Sequence, residues 1–149
     1  TLTLPAWDVA GSGHAWLDRE YSSQPLGRTQ SGWDWFALVF DTGERMMAFE
    51  LRDSENATFS AGTWIKPDGS ARPLANGAFQ AEPLAVTEID GREIPTRWRL
   101  LLPEEGLDIE VSAINPRAWN DLVFAYWEGP VRAEGTHTGD GYLEMTGYE

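Results

Sequence analysis

Apolar and polar residues alternate with period two along much of this chain. The cleanest run is Leu107 to Ala113, where Leu107, Ile109, Val111 and Ala113 alternate with Asp108, Glu110 and Ser112. Such a pattern predicts a strand with one face buried and the other in water. Comparable runs predict strands over 14–20, 33–40, 45–52, 60–66, 78–88, 95–102, 123–134 and 141–147. Turn signals recur between them: DTGE at 41–44, KPDGS at 66–70, ANG at 75–77, DGR at 90–92, PEEG at 103–106 and GDG at 139–141. Asp-Gly and Asn-Gly accept positive φ, so the chain reads as a string of hairpins. Beyond a turn around Pro116 to Asp121, no segment carries a sustained 3.6-residue apolar stripe. An all-β fold follows, either a sandwich or an antiparallel up-and-down barrel of about eight to ten strands. Hairpin connections favour the barrel, because closure removes exposed edges, and such a barrel can enclose one small apolar ligand.

Composition narrows the function classes. A chain of 149 residues fits one domain, spanning 1–149, and buries roughly 70% of its unfolded surface. With 24 acidic and 11 basic residues the formal charge is -13, which repels phosphate backbones and anionic membranes and argues against nucleic acid as a partner. The longest apolar runs, such as Trp35 to Phe40, are too short to span a bilayer, and the first residues lack the pattern of a signal peptide. A chain that opens at Thr1 is compatible with processing from a longer precursor. The absence of cysteine removes disulfides, thiolate metal sites and cysteine nucleophiles, and leaves cytoplasm and periplasm both open. His14 and His137 are the only histidines and fall in no metal-ligand spacing, so neither a metal nor a cofactor is expected. No Gly-x-Ser-x-Gly elbow, phosphate loop or dinucleotide fingerprint occurs. Eight tryptophans are the outlier, a density that suits a ligand wall or a small barrel core.

Three clusters could carry chemistry. If 14–20 is extended, His14, Trp16, Asp18 and Glu20 share one face, with Ala15, Leu17, Arg19 and Tyr21 on the other. A carboxyl group beside an indole in a closed cavity loses solvation, which favours its neutral form, as a general acid needs; the alternative is a barrel rim whose acids pair with Arg19, Arg52 or Arg97. In the second cluster Trp33 and Trp35 share a face with Ala37 and Val39, a shape that leaves a pocket unless Met46 or Met47 fills it, while Asp34 points the other way. The third sets Tyr126 with Glu128 and Trp127 with Gly129, whose glycine marks a bulge or a ligand close to the backbone. Trp98 sits between Arg97 and Arg99, which either clamp a carboxylate or answer the acidic surface.

Taken in order, the segments G-H-A-W-L-D-R-E-Y-S-S-Q at 13–24, G-W-D-W-F-A-L at 32–38, P-T-R-W-R-L at 95–100, Y-W-E-G at 126–129 and G-Y-L-E-M-T-G-Y at 141–148 make nearly the whole chain resemble the C-terminal lipocalin-like domain of the AttH and carotenoid 1,2-hydratase superfamily. The resemblance implies a lipocalin-like barrel, the second half of a two-barrel bacterial protein, often exported, hence periplasmic or secreted. It also implies a calyx for an isoprenoid- or polyketide-like ligand and an N-terminal lipocalin-like domain as partner. In the hydratase branch an aspartate two residues after an aromatic is the proposed acid, and Trp16-Leu17-Asp18 is similar to that pattern, with tryptophan in place of tyrosine. On this resemblance Asp18, with Glu20, is the catalytic candidate for a hydration, isomerisation or cyclisation. His14, Trp16, Trp33, Trp35, Trp98, Tyr126, Trp127 and Glu128 are the candidate ligand wall. Residues 19–24 resemble the AttH branch rather than the carotenoid branch. A binding or transport module without catalysis, and an interaction domain for the partner barrel, are the alternatives.

Overall fold

The computed structural model describes residues 2–4, 9–13, 15–19 and 26–148. Two short strands, β1 (Leu2–Leu4) and β2 (Val9–Gly11), pair only with each other. The remaining strands are β3 (Gln30–Phe40), β4 (Arg45–Asp53), β5 (Phe59–Ile65), β6 (Ala71–Leu74), β7 (Gln80–Ile89), β8 (Arg92–Leu102), β9 (Leu107–Ala113), β10 (Trp119–Asp121), β11 (Ala125–Gly135) and β12 (Gly139–Met145). They form one antiparallel sheet in the order β6-β5-β4-β3-β12-β11-β9-β8-β7, with β10 on the end of β11. β3 to β6 and β7 to β9 each run as successive hairpins, and β12 returns to pair β3, so the sheet curls into a half-barrel with β6 and β7 as its free edges. No helix among the described residues is long and apolar enough to cross a membrane.

Local chemistry explains most element boundaries. Asp90 and Gly91 both have positive φ, 51° and 82°, the conformation of a two-residue hairpin turn whose twist matches its strands. The 3-10 turn Pro103–Glu105 ends at Gly106, which is left-handed at φ 65°. GDG at 139–141 departs from expectation: it lies inside β12 rather than in a turn. A Cβ on Gly141 would sit 2.1 Å from the Ala37 carbonyl oxygen, so glycine there serves the close approach of β12 to β3. Residues 15–19 also depart from the predicted strand over 14–20: they are irregular, carrying no sheet pairing. Alternation alone does not make a strand when no neighbouring edge is offered. Three short strands, β1, β2 and β6, have no counterpart in the expected list, and β10 falls where a turn was expected.

Side chains fill the inside of the curl. Trp98, Trp127, Phe36 and Phe79 are at most 2% exposed, and Phe36 packs edge-on against Trp98 at 5.6 Å and Phe79 at 5.9 Å. Ile94, Leu100, Leu107, Ile109 and Leu143 complete this layer. The calyx implied by the resemblance is thus occupied by the protein's own core. Two polar clips bind across the free edges: Arg72 on β6 pairs with Glu104 and Glu105 beyond β8, and the Ala81 amide of β7 donates to Glu50 of β4.

Candidate functional site on the outer sheet face

β3 is apolar on both faces. Phe36, Leu38 and Phe40 point into the core, and Trp33, Trp35, Ala37 and Val39 point outward, each half-buried except the covered Ala37. β4 repeats the pattern, with Met46 and Ala48 inside and Met47, Phe49 and Leu51 outside. Antiparallel register sets Trp35 beside Phe49 and Ala37 beside Met47 on one side, and Ala37 beside Tyr142 on the other. The result is a groove of about 1460 Å³ on the outside of the sheet, floored by β3 and β4, flanked by β12 and β11, and bordered by residues of 13–19. Small side chains at Ala37 and Val39 create the hollow, and Met47 lies along it rather than filling it.

Trp16, on the irregular segment, meets Trp35 edge to face at 6.5 Å and 72°. Trp33 Nε1 donates to Glu144 Oε1 at 2.9 Å, fixing that carboxylate beside the indole wall. Glu144 lies opposite Trp35 on β3 and opposite Glu128 on β11, so both glutamates face the groove. Asp18 also lines it, exposed to solvent, with Oδ1 accepting the Arg19 amide at 2.8 Å. At the far end Arg45 donates to the Gly43 carbonyl at 3.3 Å.

Of the candidate residues, Trp16, Asp18, Trp33, Trp35 and Glu128 converge on this groove. His14 and Glu20 lie outside the described residues. Trp98 and Trp127 are core residues whose Nε1 atoms donate to the carbonyls of Pro95 and Pro116. Tyr126 faces outward opposite Asn120 and does not line the groove. The glycine that pointed to a ligand, Gly129, instead makes room for the Trp127 indole, which would lie 2.9 Å from an added Cβ. Arg97 and Arg99 answer surface acids, pairing with Glu110 and Asp108. Glu144, Tyr142 and Phe49 were not singled out from sequence; the signal available was that β3 and β4 are apolar on both faces, which marks a strand covered on both sides.

A second polar constellation lies at one end of the curl. Asp34, 2% exposed on the inner face of β3, pairs with Arg52 and accepts the Tyr148 hydroxyl at 3.0 Å. Arg52 also donates to the Tyr148 oxygen and to the Thr146 carbonyl, and its guanidinium lies 4.3 Å from the Tyr148 ring centroid. Burial raises the Asp34 carboxyl above its usual range although Arg52 pulls it down, and burial likewise raises Glu50 and the Tyr148 phenol. This cluster ties the C-terminal end to β3 and β4. Among the described residues, no group of three or more His, Asp or Glu is placed to hold a metal ion.

Comparison with known proteins agrees with this architecture. A family model described as AttH-like matches residues 1–148. The solved structure of an AttH candidate from Nitrosomonas europaea superposes with a TM-score of 0.76 at 24% identity, over 86% of this chain and 42% of that one. The chain therefore spans less than half the length of that protein. No curated protein matches.

Proposed function

The chain belongs to the AttH-like family, and from that premise we propose that it binds a hydrophobic small molecule, isoprenoid- or polyketide-like, in the outer groove, with Asp18 as the acid of a hydration, isomerisation or cyclisation. The observation that carries the binding reading is the groove itself: an apolar floor on β3 and β4 walled by Trp16, Trp33 and Trp35. Contiguous apolar surface of this kind on the outside of a sheet is what a ligand or partner covers. For the chemical step, Asp18 transfers its proton to one alkene carbon. The neighbouring carbon becomes a cation facing the indoles of Trp16 and Trp35; water adds there and gives up its surplus proton to the Asp18 carboxylate, or an adjacent C–H proton is lost to that carboxylate with formation of a new double bond.

The test uses the neutral dye N-phenyl-1-naphthylamine, followed by its own emission and by tryptophan quenching. Binding is expected, weakened at least tenfold by Trp35→Ala and retained by Asp18→Asn, because a buried indole contributes several times ~1.4 kcal/mol. Turnover of a terminal trisubstituted alkene is expected to disappear in Asp18→Asn; equal turnover by both proteins refutes the catalytic half. Failure of the dye to bind refutes the whole reading.

A second reading draws on the same face. Because the chain spans 42% of its structural relative, the indole wall is also suited to a neighbouring lipocalin-like barrel. That reading expects the isolated chain to self-associate in sedimentation experiments, with Trp33 and Trp35 open to acrylamide quenching.

A further inference from the structure

The connections between strands carry, with one exception, the residues that turns require. From β3 to β12, every connection but that between β10 and β11 contains Gly, Asn, Asp, Ser or Thr. The β10–β11 apex instead reads Leu122-Val123-Phe124, side chains that are 66%, 96% and 73% exposed. Among the described residues no other three consecutive large apolar side chains stand in water. Such a run is costly on a free surface and marks a place that something covers.

The second observation is that the root of this hairpin is pinned. β10 pairs β11 through Trp119 with Trp127, Asn120 with Tyr126 and Asp121 with Ala125. Trp119 packs against the core, with the Arg92 guanidinium carbon 4.9 Å from its ring centroid. Trp127 Nε1 donates to the Pro116 carbonyl at 3.0 Å, and the Glu128 amide donates to the Ala118 carbonyl at 3.1 Å. The three apolar side chains are therefore held clear of the core, as a convex point beyond the last rung of the β10–β11 ladder.

We infer that this apex is a lipid-docking wedge: Leu122, Val123 and Phe124 enter the surface of a zwitterionic bilayer, with the Tyr126 ring at headgroup depth. Area and shape favour lipid over a protein partner. Three side chains, the largest of a kind that buries about 150–250 Å², fall short of the roughly 800 Å² that each side of a stable protein complex buries. A convex point also needs a matching socket in a protein, whereas a fluid surface opens around it. Tyr126 faces outward from the same hairpin, and its amphipathic ring suits the boundary between headgroups and hydrocarbon. Charge selects the lipid. Asp121 is exposed beside the apex and the formal charge is -13, so an anionic surface repels the chain while a zwitterionic one does not. This surface is separate from the outer groove, and the binding reading above stands or falls without it.

Cosedimentation of the whole chain with phosphatidylcholine vesicles is expected to show reversible binding, weakened at least tenfold by Val123→Asp with Phe124→Asp. Phe124→Ser alone is expected to act in the same direction and serves if the double variant does not fold. Replacing about a third of the lipid with phosphatidylserine is expected to weaken binding at about 10 mM salt and to matter less at about 150 mM, where charges are screened within roughly 8 Å. The chain contains no cysteine, so a polarity-sensitive dye can be attached at one chosen position. On Val123→Cys its emission is expected to shift to the blue with vesicles. On Lys66→Cys, in the β5–β6 connection at the other end of the sheet, it is expected to stay unchanged. No binding to phosphatidylcholine, equal binding by the double variant, or equal shifts at both labelled positions overturns the proposal. So does an apex label already shifted to the blue without vesicles in a chain that sediments as a dimer, which makes the apex a protein interface. The groove's affinity for N-phenyl-1-naphthylamine is expected to stay within twofold in the double variant, so the two readings fail separately.

Discussion

Asp34 and Glu50 carry their protons differently in the folded and unfolded chain, and the sign follows from burial. Both carboxyls are held above their ordinary values of 3.8 and 4.5. The folded state therefore binds these protons more tightly, and the stability they contribute is fully present below the ordinary values and lost as pH rises through the folded ones. Glu50→Gln keeps an oxygen for the Ala81 amide and removes the ionisation. Its Tm is expected to exceed that of the parent at neutral pH, with the gain vanishing below about pH 4, followed by circular dichroism melts. Arg52 is the opposite case. Removing it leaves the Asp34 carboxylate buried with only the Tyr148 hydroxyl, so Arg52→Met is expected to cost about 3 kcal/mol at neutral pH in urea unfolding, less in acid, where Asp34 takes up a proton. The double variant Asp34→Asn with Arg52→Met is expected to recover part of that loss. These residues were barely legible in sequence: periodicity set Asp34 on the face opposite Trp33 and Trp35, but nothing along the chain said that this face is the inner one or linked Asp34 to Arg52 or Tyr148.

Among the elements, β3 and β11 show how one strand serves two purposes. β3 commits its even positions to the core and its odd positions to the groove, so the hollow exists only because β4 and β12 bring Met47 and Tyr142 alongside Ala37. β11 carries Trp127 inward, and a Cβ added at Gly129 would lie 2.9 Å from that indole and 3.0 Å from the Ala118 methyl. Gly129→Val is expected to push the indole out of place, at a cost of about 1–3 kcal/mol in urea unfolding, with a red shift of tryptophan emission. The groove, on the other side of the sheet, is expected to keep its dye affinity within twofold. An unshifted emission spectrum would show that Trp127 does not depend on this close approach. The segment 15–19 teaches the complementary lesson: it reads as a strand by alternation, yet it joins no sheet edge and its Trp16 side chain meets Trp35 on the sheet face.

At the level of the whole molecule, charge and closure set the terms. A formal charge of -13 on 149 residues strains the compact state by self-repulsion, relieved locally by arginines on the β8–β9 and β11–β12 ladders. Melting temperature is therefore expected to rise as sodium chloride goes from about 10 to 150 mM, while the Debye length falls from roughly 30 to 8 Å, and to level off beyond that. A calorimetric Tm independent of salt would mean the pairs already balance the repulsion. Across the free edges, Arg72 and Glu50 hold β6 and β7 by polar clips rather than by a ladder.

Period two and turn residues determined by themselves the all-β class, the strand faces and most hairpins, because each depends on neighbours a few positions apart. They also determined that Trp33, Trp35, Ala37 and Val39 form one surface. Only the tertiary structure decided which side of the sheet that surface meets. A strand apolar on both faces does not say which face the core takes, and the answer came from Trp98, Trp127 and Phe79, which fill the curl and leave the indoles of β3 outside. The same packing removed Trp98 and Trp127 from the ligand wall and brought Glu144, more than a hundred residues distant in sequence, to the Trp33 indole. Contacts of that range depend on how the sheet closes on itself, a property of the whole chain that no local window contains.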